Sequence, residues 1–227
     1  MSRVELALDT SGSFCSVAAL LPGGGVVERS SEGDGDHFER LPALVEEVCR
    51  EAGVSAKQLG AVRVGVGPGS FTGLRIGMSF AKGLAYASSA PLMGVCSFRG
   101  LAAAACQQRP EARRFVVLSD ARRDEVFAAA FERDERGGGA TVVPPCIVPI
   151  SSLGAPEWSA PAAWWVTTLR DFSLPMHKLD ALPCTARGLL RCGPALETYS
   201  LTDIAALEPS YLRAVAAKTI AERQQGA

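Results

Sequence analysis

The chain has 227 residues, 48% of them hydrophobic and 21% charged, with 23 Lys+Arg against 24 Asp+Glu. That composition suits a globular protein with a real core, and the near-neutral balance argues against a surface built mainly to bind a phosphate backbone. No run approaches the roughly 20 apolar residues needed to span a bilayer, and Glu5 interrupts the first apolar run as a secretory leader would not.

Residues 4–8 form a short apolar run closed by the turn chemistry of Asp9-Thr10-Ser11-Gly12-Ser13. Residues 16–21 make a second run, and Pro22-Gly23-Gly24-Gly25 turns the chain into a third from Val26, so the opening predicts an antiparallel meander. A helix follows, with Asp36 and Glu39 at capping-box spacing and with Leu41, Leu44, Val45, Val48 and Ala52 on one face. Pro42 lies inside it, which predicts a kink or a later start. Next come a buried strand at 62–66, the loop Gly67-Pro68-Gly69-Ser70, a second helix at 71–86 and a strand at 92–95. Ser97 then caps a helix reaching Ala105. The order β-β-β-α-β-α-β predicts a mixed sheet covered by helices.

The second half is less regular. Residues 115–118 and 126–131 read as strands flanking Asp120-Ala121-Arg122-Arg123-Asp124, and Gly137-Gly138-Gly139 reads as a flexible tip. The run 142–148 is interrupted by Pro144-Pro145, residues 163–167 with Trp164 and Trp165 read as a strand, and 169–194 carries no consistent pattern. A composition shift near 107–110 divides the chain into a first subdomain at 1–107 and a smaller, degenerate second one at 108–227.

Several chemistries can be weighed residue by residue. The seven cysteines (Cys15, Cys49, Cys96, Cys106, Cys146, Cys184, Cys192) show no CxxC spacing, which favours reduced, packed thiols in a cytoplasm over a disulfide framework or zinc site. His37 and His177 are the two histidines and form no i, i+4 pair, so no metal site is expected, and no GxSxG elbow offers a serine nucleophile. The stretch Gly65-Val66-Gly67-Pro68-Gly69-Ser70-Phe71-Thr72-Gly73 follows a strand but fits neither the Walker A nor the GxGxxG spacing. Asp9, Thr10 and Ser11 at the end of the first strand read either as an ordinary turn or as the first phosphate loop of an actin-like ATPase.

In the second helix Gly73, Gly77, Ala81 and Ala85 recur every four residues as a small-residue ridge, while Ile76, Phe80 and Leu84 form a bulky stripe elsewhere. An interior glycine costs about 1 kcal/mol against alanine, so the ridge implies close approach of another backbone. That backbone belongs either to the same domain or to a partner helix.

Four ordered motifs carry a family resemblance. They are Leu6-Ala7-Leu8-Asp9-Thr10-Ser11 with Cys15-Ser16-Val17-Ala18; His37 with Arg40-Leu41, followed by the stretch from Gly67 to Gly77; the segment Asp120 to Val126; and Pro209-Ser210-Tyr211-Leu212-Arg213. Together they resemble the TsaB (YeaZ-like) family, though Phe38 stands where that family usually has serine. The resemblance implies an α/β, actin-like (ASKHA) fold of two related subdomains with mixed sheets flanked by helices. It implies a non-catalytic, cytoplasmic subunit that partners a TsaD-like transferase in making threonylcarbamoyladenosine on tRNAs reading codons that begin with A. A TsaE-like ATPase completes such a system. The chain is expected to homodimerise when alone, to meet tRNA only within the complex and to hold no cofactor of its own, with ATP or ADP at the partner interface as a further option. TsaD carries a metal-binding HxxxH that this chain lacks, and nothing supports a glycoprotease. The partner interface expected from the two helices comprises His37, Leu41, Leu44, Val45, Val48, Gly73, Gly77 and Ala81. An ATP-binding enzyme of the actin-like or sugar-kinase-like type is the alternative, with Asp120 as its second phosphate-loop acid.

Overall fold

The computed structural model describes residues 3–31, 37–135, 139–158, 163–167, 177–180, 186–192, 197–199 and 203–213. Strands β1 (Glu5–Asp9), β2 (Ser16–Leu20) and β3 (Val26–Ser30) form the expected meander, and helix α1 (His37–Glu51) crosses back over it. Strand β4 (Ala61–Gly65), helix α2 (Phe71–Ser88) and strand β5 (Leu92–Val95) follow, with β4 parallel to β1 and β5 parallel to β4. Helix α3 (Ser97–Gln108) leads to β6 (Arg114–Arg122), β7 (Glu125–Arg133) and β8 (Gly139–Pro149), a second antiparallel meander. Strand β9 (Ala163–Thr167) pairs parallel with β6, and β10 (His177–Asp180) pairs parallel with β9. Helix α4 (Ala186–Arg191) and strand β11 (Glu197–Tyr199) complete the regular elements.

The two sheets repeat one plan. The first runs β11-β5-β4-β1-β2-β3 and the second β10-β9-β6-β7-β8. Leaving out β11, each is a three-stranded meander with two parallel strands added beside its first strand. This duplication is the two-subdomain, mixed-sheet architecture that the actin-like resemblance implies. It escapes a search for sequence repeats because the shared feature is a hydrogen-bonding order rather than a residue pattern.

Period-two alternation assigns the faces of the first sheet. Leu6, Leu8, Val17, Ala19, Val62 and Val64 point to the side covered by α1 and α2. Ala7 and Ala18 point to the other side, against α4 and Ala103 of α3. Helix α3 lies between the sheets, with Phe98, Leu101 and Ala105 packed on Phe115, Val117 and Phe131 of the second. The far face of that second sheet is closed by Leu153 and Trp158.

Several expectations shift. Helix α1 runs from His37 through Pro42 without a later start, and Asp36 lies outside the described residues. Pro42 is the sixth residue of the helix and is exposed on its solvent side, so it removes one bond of the second turn without ending the helix. The Pro144-Pro145 pair does not split its strand, because β8 is an edge strand with register shifts against β7 and needs no donor on its open side. Beyond residue 108 the chain builds β6 to β10 of the second sheet and then comes back to the first. Helix α4, β11, Ile204 and Leu207 all return to the first sheet. Among the described residues no helix is long and apolar enough to cross a membrane.

Candidate functional site

Asp9, Thr10 and Ser11 end β1 and are all buried. Asp9 Oδ1 accepts hydrogen bonds from the Ser11 amide at 2.8 Å and the Ser11 hydroxyl at 2.6 Å. Asp9 Oδ2 has no hydrogen-bond partner and lies against Gly65, where a Cβ would overlap it and would also crowd Ser97 Oγ. The Thr10 hydroxyl donates to Gly73 O at 2.7 Å, and Ser11 O accepts from the Ser70 amide at 2.7 Å. The turn's hydroxyls are therefore spent inside the chain, on its own acid and on the start of α2.

Helix α2 is what occupies them. Ser70 caps it, accepting from the Gly73 amide at 3.2 Å. A Cβ at Gly73 would overlap Thr10 O, and one at Gly77 would overlap Thr10 Oγ1 and touch Leu8. The backbone that the small ridge admits is thus β1 of the same sheet. Ser97 also has a different task from the one expected. Cys96 is the N-cap of α3, and Ser97 Oγ instead accepts from the Gly67 amide at 3.2 Å, tying the α2 loop to α3.

This geometry corrects the expected partner interface. Gly73, Gly77 and Ala81 are buried against the sheet, and Leu41, Leu44, Val45 and Val48 belong to the same core cluster. Periodicity identified residues that share a face; the sheet, not a second chain, covers that face. His37 begins α1, and its side chain lies outside the description.

The outward face of α2 is another matter. Thr72, Ser79, Gly83 and Ala87 are exposed along it, beside half-buried Ile76, Phe80 and Leu84. Nothing lies within 4 Å of a Cβ built at Gly83. Tyr86 is 76% exposed at one end of the helix and Phe71 is 44% exposed at the other. A mid-helix glycine with open space beside it costs helix stability and gains nothing within the chain. Alongside, α1 presents Glu39, Arg40, Glu46 and Arg50 to solvent.

At the start of α2 the late motif joins the others. The Ser210 amide donates to Val66 O at 2.7 Å, and the Tyr211 ring lies 5.0 Å from that of Phe71. Arg75 stacks on Phe71 at 4.1 Å and donates from Nε to the Tyr211 hydroxyl at 3.2 Å. Arg213 donates to Ala121 O at 2.9 Å and pairs with Glu125 in the β6–β7 hairpin. Arg122, Arg123 and Asp124 at that hairpin tip all have left-handed backbones, with φ of 67°, 59° and 58°. Asp120 Oδ1 accepts from the Arg122 amide at 2.6 Å, so that acid shapes the tip. Their order along the chain gave no sign that these segments would meet.

The described cysteines are thiols, not joined in disulfides. Cys192 donates to Gly188 O at 3.4 Å, and burial pushes its thiol up to about 12 from the ordinary 9.0. The folded chain holds that proton where an unfolded chain releases it. Stability from this group is therefore complete below the unfolded pKa and declines as pH rises toward the folded one. Burial also raises the thiols of Cys49, Cys96, Cys106 and Cys146, so thermal melts between about pH 8 and about pH 10 should show a downward drift at the alkaline end that is smaller, not absent, in a Cys192→Ala variant.

Comparison with known proteins now bears on the whole chain. A family model described as "TsaD: tRNA N6-adenosine threonylcarbamoyltransferase" matches residues 17–220. The tRNA threonylcarbamoyladenosine biosynthesis protein TsaB of Escherichia coli is 37% identical over 132 residues, which cover 58% of this chain and 56% of that protein. The structure of YeaZ from Pseudomonas aeruginosa superposes with a TM-score of 0.77 at 29% identity, covering 93% of this chain and 100% of that one. The chain belongs to this family, as a TsaB (YeaZ-like) member. An uncharacterized protein of Mycobacterium tuberculosis is 31% identical over 232 residues, covering 97% of this chain and 99% of its own. Against the TsaB proteins of Escherichia coli and Haemophilus influenzae the matched segment spans about half of their length, 56% and 54%.

Proposed function

We propose that the chain is a non-catalytic partner subunit of a TsaD-type transferase, acting in threonylcarbamoyladenosine formation on tRNAs that read codons beginning with A. The observation that carries this reading is the outward face of α2, where Gly83 leaves room for a neighbouring backbone between exposed Phe71 and Tyr86. Small residues allow close helix–helix approach, and aromatic residues at the ends supply anchors. The partner contact is formed by the outer faces of α1 and α2, and a homodimer uses the same faces when the transferase is absent. The chain works in the cytoplasm with no cofactor of its own, since the turn that would meet a phosphate is packed under α2. A TsaE-like ATPase joins the pair, and tRNA engages the assembled complex.

Affinity purification of the tagged chain from its own cytosol tests this directly. A TsaD-type transferase should co-elute, and the reconstituted pair should modify tRNA while the chain alone turns over no ATP. ATP hydrolysis by the chain alone, with no co-eluting transferase, would favour the actin-like or sugar-kinase-like enzyme instead.

A further inference from the structure

We infer that residues 207–213 act as a clasp between the two sheets, and that its contacts open and close as one unit. Helix α3, buried between the sheets, is the permanent connection. The clasp is a second one. It is rooted by Leu207, which is buried in the first core. It then runs past Val66 through Ser210, onto Phe71 and Arg75 through Tyr211, and reaches the β6–β7 hairpin through Arg213. The root and the first two contacts belong to the first sheet and its helix, and the last belongs to the second sheet. Between Tyr211 and Arg213 the chain is two residues long, roughly 7 Å at full extension, so movement at one contact is felt at the other.

The composition of these contacts suits reversible opening. Tyr211 is 38% exposed, and the side chains of Arg213 and Glu125 are 36% and 34% exposed. Ion pairs and polar contacts that water still reaches are individually weak. The hairpin end is nevertheless built to receive Arg213. The tip is a two-residue turn at Arg123-Asp124 with both residues left-handed, as such hairpins favour, preceded by a left-handed Arg122, and Asp120, the Ile150 amide on Asp124 O and Arg213 brace it. Removing Arg213 takes away the brace that comes from the other sheet.

Hydrogen exchange on the full chain tests the clasp. For Arg213→Ala, amides in residues 118–127 and in 207–213 should both exchange faster by about twofold to fivefold, the size expected when a weak, half-buried charged contact is lost. Protected amides of β1 and β4 should be unchanged. Tyr211→Phe, which removes the hydroxyl that Arg75 reaches and keeps the ring, should give a smaller rise at the same two places. The double variant Arg213→Glu with Glu125→Arg should recover part of the protection at both, because the ion pair returns while the hydrogen bond to Ala121 O does not. Faster exchange confined to the hairpin in Arg213→Ala would show independent contacts and overturn the clasp. A rise that extends to β1 and β4 would overturn it too, by making the segment an ordinary part of the core.

Discussion

Replacing Gly77 by leucine should destabilise the monomer itself, lowering its melting temperature whether or not a partner is present. The glycine faces β1, where even a single Cβ would overlap Thr10 Oγ1 and lie 3.5 Å from Leu8 Cδ1. Neither neighbour can yield easily, because Leu8 and Thr10 are buried and the Thr10 hydroxyl is committed to Gly73 O. Overpacking of this kind costs about 3 kcal/mol or more at a site that cannot relax, against a total stability of about 5–15 kcal/mol. For a chain of this length that corresponds to a fall of about 6–12 °C in Tm. Gly77→Ala separates the two influences on the site. Helix propensity alone favours alanine by about 1 kcal/mol, so a lower Tm for this variant measures the clash directly. A Gly77→Leu chain that melts like the wild type would mean that the ridge does not face the sheet.

Gly83, less than two turns further along the same helix, should behave in the opposite way. Gly83→Ala meets nothing within 4 Å, so it should raise stability by about 1 kcal/mol, or about 2–4 °C in Tm. Gly83→Arg should leave the fold intact and weaken binding to the TsaD-type transferase by about 2 kcal/mol or more, roughly thirtyfold in Kd. Calorimetric melting of the isolated variants and titration against the purified transferase check the two halves separately. Unchanged affinity for Gly83→Arg would remove the outer face of α2 from the proposed contact. The stabilising effect of alanine would stand regardless, since it depends only on helix propensity and open space.

The contrast between these two glycines shows where sequence reasoning stops. The short apolar runs of β1 and β2 and the one-faced apolar positions of α1 were readable, because a strand buried on both faces is apolar throughout and a half-buried helix carries its own period. What covers a face is not encoded in that period. Gly73, Gly77 and Ala81 could have met a sheet or another chain, and only the path of β1 decides between them. The same limit applies to Asp9, Thr10 and Ser11, whose turn chemistry was plain although the burial of their hydroxyls under α2 was not. Strand β10, helix α4 and strand β11 went unread for a different reason. They have 4, 6 and 3 residues, too few to display a period, and they are ordered by the sheets they join. The convergence of the separate motifs around Phe71, Arg75 and Tyr211 is a property of chain path alone.

The return of the chain to its first sheet has a consequence for how the protein is made. Domains generally fold in order of synthesis, each as its coding segment is finished. Here the first sheet has its strands β1 to β5 by Val95, yet the side bearing Ala7 and Ala18 waits for α4, which begins only at Ala186. At ordinary elongation rates the intervening stretch takes roughly 5–20 s to translate. Through most of that interval a growing polypeptide carries an unfinished layer with one apolar side covered by α3 alone and an edge on β5 still lacking β11. Ribosome-associated chaperones would meet this chain in that window, and a stall placed ahead of α4 should capture them on it.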